Sequence, residues 1–263
     1  MNQFKSPLRY PGGKTRAANQ LSSLFDDDIK TIASPFFGGG SVEFELMKRG
    51  KNVIASDIFA PLAAFWQQLQ LDPQALASQC QQYLSVTDKS VFVTMQSELR
   101  SLLATDDPDP FQMAWRFFCI NRRSFSGTTL SGGFNQGQRF TPSSIQRLLD
   151  CDVSLLQIKS GDYWETLSDQ ESYEAIYADP PYLLDSSTLY GDRGSTHKDF
   201  DHVRLSMHLH QLDSKFIVLS YNDHPEVREL YKDWRIESLT YAYGMNKSKK
   251  SNEIIIINDR SNE

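Results

Sequence analysis

The segment Ile176-Tyr177-Ala178-Asp179-Pro180-Pro181-Tyr182 brings an acid, two prolines and an aromatic ring to the end of a short apolar, β-prone run. Together they suit an exocyclic amine on a flat ring. An Asp179 carboxylate can accept a hydrogen bond from an NH2 group. Pro180 has a fixed φ and no N–H, so it helps hold a rigid turn whose carbonyl can be the second acceptor. The Tyr182 ring can stack on the face of a base. Asp-Pro-Pro is also ordinary turn chemistry after a strand, so the neighbouring motifs decide between the two readings.

Ala33-Ser34-Pro35-Phe36-Phe37-Gly38-Gly39-Gly40-Ser41 follows another short strand and opens a helix. Glycines there let the backbone pass close to a ligand, and a helix N-terminus offers unpaired N–H groups. Pro35, Phe36, Gly38, Gly40 and Ser41 are the candidate contacts. The spacing matches neither G-x-G-x-x-G nor G-x-x-x-x-G-K-[ST], which disfavours a dinucleotide or ATP phosphate. About twenty residues on, the next strand ends in Ser56-Asp57, an acid that suits a ribose diol and could also cap a helix. Tyr10-Pro11-Gly12-Gly13-Lys14 is a second glycine turn, ending in a cation at an expected helix start. The helix dipole disfavours a lysine there, so binding of a carboxylate would explain Lys14. Gly161-Asp162-Tyr163 follows a further strand, where Asp162 could accept from an amino group.

Strands are predicted over Lys30–Ala33, Asn52–Ser56, Val153–Lys159, Glu174–Ala178, Lys215–Ser220 and Glu253–Asn258. Several are apolar without clean alternation, as in a sheet covered on both faces. Helical patterns fall at Lys14–Phe25, Ser41–Arg49, His202–Leu212 and Pro225–Tyr231, so the chain reads as an α/β protein with a mostly parallel sheet. Between about residues 63 and 152 helical segments dominate, at Pro73–Tyr83, Val91–Leu103 and Phe111–Asn121. A polar stretch follows from Ser124 to Gln138, with strand-like pieces that could meet through Gly132-Gly133 and enter a DNA groove. The alternative for this stretch is a surface loop.

The 263 residues suffice for one large domain, or for a catalytic domain with an insertion. No apolar run approaches the roughly 20 residues needed to span a bilayer, and Met1 to Lys14 lacks the apolar core of a signal peptide. Three widely spaced cysteines, Cys80, Cys119 and Cys151, show no zinc spacing. A reduced, cytoplasmic protein without a metal is expected. The net charge of −6 argues against a uniformly DNA-coating protein. Yet Phe111 to Leu149 contains no acid but carries Arg116, Arg122, Arg123, Arg139 and Arg147. Thr240 to Asn252 is also free of acids and carries Lys247, Lys249 and Lys250. Two local basic segments suggest contact with a polyanion, or a solvated positive face.

In order, these pieces are Pro-Gly-Gly-Lys, Pro-Phe-x-Gly-x-Gly-Ser, a strand-end Asp, a helical insertion, Gly-Asp-Tyr and Asp-Pro-Pro-Tyr. The set resembles the Dam-like DNA adenine-N6 methyltransferases over nearly the full length. It includes Asn121-Arg122 with Phe125 and Gly127, then Leu219-Ser220-Tyr221-Asn222-Asp223 and the final Asn252–Asn258 strand. The resemblance implies a Rossmann-like sheet with helices on both faces. It implies a catalytic part at residues 1–62 and 153–263, and a recognition insertion at 63–152 with a hairpin near 122–140. It implies S-adenosylmethionine as cofactor, held by Tyr10, Lys14, the Pro35–Ser41 turn, Asp57, Asp162, Tyr163 and Asp179. The target adenine would lie against Asp179, Pro180 and Tyr182. Arg122, Arg123, Phe125, Thr128, Asn135, Arg139 and Lys247 are candidate contacts to double-stranded DNA.

Two departures stand out: Tyr10 replaces a frequent tryptophan, and Ser34 stands where an acid often precedes Pro-Phe. No arginine follows closely after Gly127, where GATC-specific relatives read guanine, so the target sequence is left open. A monomer or weak dimer is expected, with a cognate restriction nuclease as a candidate partner. Cytosine-N4 methylation, methylation of a protein side-chain amide and a non-catalytic DNA-binding protein are the competing readings.

Overall fold

The computed structural model describes residues 5–135, 139–183, 200–239 and 253–260. Lys247 and the whole second basic segment, residues 240–252, lie outside them. Seven strands form one sheet: β1 (Thr31–Ser34), β2 (Asn52–Asp57), β3 (Leu156–Ser160), β4 (Ala175–Ala178), β5 (Phe216–Asn222), β6 (Arg235–Leu239) and β7 (Glu253–Asp259). Their order is β3-β2-β1-β4-β5-β7-β6. The first five are parallel neighbours, and β7 inserts antiparallel between β5 and β6.

Buried residues alternate between the two faces. Ile32, Tyr177, Val218 and Ile255 join one apolar cluster, whereas Ala33, Ile176, Leu219 and Ile254 join the other. Helices α1 (Ala18–Ser22), α2 (Ser41–Lys48) and α3 (Ala60–Leu71) contribute to the first cluster. Between β2 and β3 the chain continues through α4 (Pro73–Gln81), α5 (Lys89–Leu103), α6 (Pro110–Arg123) and α7 (Pro142–Leu149). The second face is covered by α8 (Tyr163–Leu167), α9 (His202–Gln211) and α10 (Pro225–Leu230). This is the doubly covered α/β sheet expected from the apolar strands.

Two expectations, the start of the first helix and the hairpin, are corrected, and the boundary at residue 62 meets continuous structure. The helix predicted from Lys14 begins only at Ala18, so Lys14 belongs to the preceding turn. The proposed boundary at residue 62 falls inside α3. That helix packs against β2, β3 and α6 and shares one apolar cluster with both, so no break in burial marks the insertion. The polar stretch is also not a hairpin through Gly132-Gly133. Over its described part, 124–135, two 3-10 turns, Phe125–Gly127 and Thr129–Ser131, are closed by an antiparallel bridge between Ser124 and Phe134. Left-handed Ser126 and Thr129, together with the bond from Thr129 N–H to Ser124 Oγ, coil the chain between the two bridged residues.

Candidate active site

The strand order reverses between β1 and β4: the chain first winds through β2 and β3, then returns to start β4 beside β1. Ligands of open α/β sheets bind at the carboxyl ends of strands at such a switch point. A cleft of about 1010 Å³, counting the solvent at its mouth, lies there. The turn after β1 lines it with Pro35, Phe36, Gly38, Gly40 and Ser41. Asp57 enters from β2, Asp162 and Tyr163 from the segment after β3, and Asp179, Pro180 and Tyr182 from beyond β4. Tyr10 and Lys14 close one side. Residues spread over more than 170 positions thus meet in one cavity because the sheet is parallel there.

The glycine turn is specified sterically. Gly38 (φ 52°) and Gly40 (φ 69°) occupy left-handed conformations. A Cβ on Gly38 would stand 2.8 Å from the Tyr10 ring, and one on Gly39 would stand 2.6 Å from Tyr10 Cβ. The backbone of Gly38 is fixed from both sides. Its N–H donates to Asp57 Oδ2 at 2.9 Å, and its carbonyl accepts from the Trp66 indole at 3.2 Å. Asp57 also accepts the Phe59 N–H at 2.9 Å. Burial pushes this carboxyl up to about 6, opposed by the two backbone N–H groups. Asp57 therefore organises the turn, and two of its roughly four acceptor positions remain for a ligand.

Asp179 follows fully buried Ala178, and 22 % of its side chain is open to the cleft. The Lys14 ammonium donates to Asp179 Oδ2 at 2.8 Å and to the Gly12 carbonyl at 3.0 Å, and lies 4.8 Å from the centre of the Tyr182 ring. Asp179 Oδ1 is also 2.8 Å from the ammonium, but it has no hydrogen-bonding donor among the described residues. Burial raises the proton affinity of Asp179, and Lys14 opposes that rise. Lys14 does bind a carboxylate, as its place in the glycine turn suggested, and the carboxylate is that of the Asp-Pro-Pro-Tyr turn. The chain beyond that turn is anchored by Asn222, whose amide accepts the Leu183 N–H at 3.2 Å and donates to the Leu183 carbonyl at 2.8 Å. Asp162 caps α8 through the Trp164 N–H at 2.9 Å. Tyr163 packs on Phe36 with ring centroids 5.4 Å apart.

Five cleft residues escaped sequence reasoning: Val42, Glu43, Ile58, Phe59 and Phe200. Glu43 lies in the first turn of α2, where an acid passes for a dipole partner. Ile58 is 61 % exposed directly after Asp57, and Phe200 lies far along the chain from every motif. Only Ile58 carried a signal: an apolar residue immediately after a strand-end acid.

Residues 10–245 match the D12 class N6 adenine-specific DNA methyltransferase family. The chain belongs to that family. It is 27 % identical over 270 residues to the type II methyltransferase M1.LlaDCHI of Lactococcus lactis subsp. cremoris, covering 95 % of this chain and 94 % of that one. It is 25 % identical over 242 residues to the type II methyltransferase M.CviBI of Paramecium bursaria Chlorella virus NC1A, covering 87 % and 86 %. A DNA adenine methylase of Vibrio cholerae is 24 % identical over 202 residues, covering 72 % and 69 %. The chain is therefore an adenine-specific DNA methyltransferase with the Rossmann-like sheet of such enzymes.

Placement of the candidate DNA contacts divides them. Phe125 is 61 % exposed, Arg139 is exposed, and Thr128 and Asn135 are half-buried on the loop. Arg122 and Arg123 are buried, contrary to expectation. The Arg122 guanidinium donates to the carbonyls of Arg139, at 2.6 and 3.1 Å, and of Pro7, at 3.3 Å. Arg123 donates to the carbonyls of Tyr83 and Leu84 and lies over the Phe140 ring. Burial, and then the neighbouring Arg147, Arg9 and Arg139, pushes Arg122 down to about 10. These two arginines satisfy main-chain carbonyls that would otherwise be orphaned, so they are structural rather than DNA-facing. No helix among the described residues is long and apolar enough to cross a membrane.

Proposed function

We propose that the cleft binds S-adenosylmethionine and an adenine extruded from duplex DNA, and that Asp179 and Pro180 hold the N6 amine. The observation that carries this reading is the Asp179 Oδ1: a buried acceptor without a hydrogen-bond partner, at the carboxyl end of β4, beside a close-approach glycine turn.

The lining fits the cofactor. The remaining acceptor positions of Asp57 suit ribose hydroxyls, and exposed Ile58 offers an apolar face to a purine. The cofactor supplies a methyl group on a positively charged sulfur. The adenine amine is a poor nucleophile, because its lone pair is delocalised into the ring. Accepting its N–H groups at Asp179 Oδ1 and at a proline carbonyl favours positive charge building on nitrogen during attack. In this reading Lys14 favours the anionic form of Asp179, and Tyr182 stacks on the base. Extrusion costs a few kcal/mol of lost stacking and pairing, which contacts by the insertion must offset.

Residues 63–152 carry DNA recognition in this reading, with Phe125, Thr128, Asn135 and Arg139 on its exposed loop. Residues 1–62 and 153–263 carry catalysis. Lys247 is assigned to DNA contact on sequence alone. The type II relatives support a place in a restriction-modification system with a cognate nuclease, and a monomer or weak dimer in the cytoplasm is the working assembly.

Replacing Asp179 by Ala should abolish transfer of tritium from labelled cofactor into DNA while leaving DNA binding within about threefold, since the reacting amine is the one part of the DNA that the carboxylate would touch. Near wild-type incorporation by this variant would remove Asp179 from the reaction. Nucleoside analysis of the product separates N6-methyladenine from the N4-methylcytosine of the competing reading.

A further inference from the structure

Glu43 is 2 % exposed and borders the cleft from the first turn of α2. Ser34 Oγ donates to Glu43 Oε1 at 2.6 Å. Around the cleft the acids are Glu43, Asp57, Asp162 and Asp179, and the only base among the described lining residues is Lys14. Three of the four acids have evident partners. Asp57 accepts two backbone N–H groups, Asp162 caps a helix and Asp179 is paired with Lys14. Glu43 has a neutral hydroxyl and no ion-pair partner among the described residues. A buried carboxylate in that position is costly until a cation arrives.

We propose that Glu43 is a cofactor-binding residue whose carboxylate takes the primary ammonium at the methionyl end of S-adenosylmethionine. The inference rests on the cleft being the cofactor site. It follows from the charge count: a ligand carrying a sulfonium and an ammonium against one carboxylate matches a cleft with an excess of acids. Ser34 orients the receiving carboxylate. The strand end itself offers only a hydroxyl there, so the acid reaches the site from the helix. The groups around Glu43 are Ser34 from β1, Tyr177 and Asp179 from β4 and its end, and Lys14 from the N-terminal turn. Asp179 draws a proton onto Glu43 and Lys14 discourages it, but burial dominates and pushes the carboxyl up to about 7.

The test is calorimetric binding of S-adenosylhomocysteine and of its deaminated analogue, which lacks only the amine. Wild-type protein should prefer the amine-bearing ligand by roughly ten- to hundredfold, the range of a charge-assisted hydrogen bond. Glu43→Gln should erase most of that preference by weakening only the amine-bearing ligand. Equal weakening of both ligands, or no change in either, overturns the proposal in favour of a packing role. Wild-type protein that binds neither ligand overturns the cofactor reading of the cleft itself. Should Glu43→Gln not fold, wild-type protein supplies the decision. Its preference should shrink as pH falls from about 8 to below 6, because protonation of Glu43 removes the anion. Effects on Asp57 fall on the ribose common to both ligands and cancel in the ratio. A preference that stays constant over this range also overturns the proposal.

Discussion

The Lys14 ammonium lies 2.8 Å from the Asp179 carboxylate, so a cation from residue 14 neutralises the acid of a turn 165 positions later. The pair is more than a clamp, because Asp179 lines the cleft and its buried Oδ1, 2.8 Å from the ammonium, has no hydrogen-bond donor among the described residues. Burial works against the charged form of Asp179, and the lysine works for it.

Removing that cation should therefore move a pH profile. Lys14→Met leaves the proton affinity of Asp179 raised by burial and no longer lowered by its partner. If the reaction needs the carboxylate ionised, the acid limb of kcat should shift upward in pH. Lys14→Arg should shift it less. Measuring kcat against pH at saturating DNA decides the matter, and an unmoved limb means that Lys14 does not hold the charge state of Asp179.

A second expectation concerns stability without cofactor. Glu43 titrates near 7 in the fold against 4.5 in the unfolded chain, and Asp57 near 6 against 3.8. The folded form thus holds more protons between these limits, and stability falls as pH rises through the window. It is highest below about pH 4 from this source, and the contribution is lost above about pH 7. Glu43→Gln should flatten the curve and stabilise the ligand-free protein at about pH 8, by something on the order of 2–3 kcal/mol. Scanning calorimetry at about pH 5 and 8 checks this, and a variant less stable than wild type at the higher pH contradicts it.

The loop proposed to read DNA is tied to the N-terminal segment through Asn121, whose amide donates to the carbonyls of Arg9, at 2.7 Å, and Gly127, at 3.0 Å. Gly127 has φ 78°, and an added Cβ would stand 2.0 Å from the Arg9 carbonyl oxygen. Gly127→Ala should push the loop off the N-terminal segment at a cost of roughly 1–3 kcal/mol. The KM for DNA should rise about tenfold or more, with S-adenosylhomocysteine affinity held within about twofold. A parallel loss of both would show that the strain spreads into the cleft.

Much of the site was legible because its motifs sit at strand ends, where position along the chain dictates position in space. Asp57, Asp162 and Asp179 each terminate or follow a parallel strand, so predicting the sheet was enough to bring them together. Strand β6 was not legible: among the described residues it pairs only with β7, and its exposed Arg235 and Glu237 obscure any buried pattern. Helix α3 was missed for the opposite reason, being buried nearly all round at Leu62, Ala63, Ala64, Phe65 and Trp66. Glu43 was missed because sequence shows that an acid is present but not that it faces inward. Direction also misled at Arg122 and Arg123, whose acid-free surroundings look the same whether the guanidinium meets DNA or a carbonyl.

That ambiguity can be resolved by experiment. Arg122 supplies three hydrogen bonds to the Pro7 and Arg139 carbonyls, so Arg122→Ala orphans buried acceptors on two separate segments. It should destabilise the protein by about 3 kcal/mol. DNA binding by the folded fraction should keep the wild-type dependence on salt, because no phosphate contact is lost. Arg139 differs: its carbonyl is structural, but its exposed side chain is free to meet phosphate. Arg139→Ala keeps the carbonyl and should leave stability within about 0.5 kcal/mol. It should also lower the slope of log K against log salt by about one unit. Urea melts and salt titrations of the two variants should therefore show opposite patterns. A slope that falls for Arg122→Ala but not for Arg139→Ala would return DNA contact to the buried arginine.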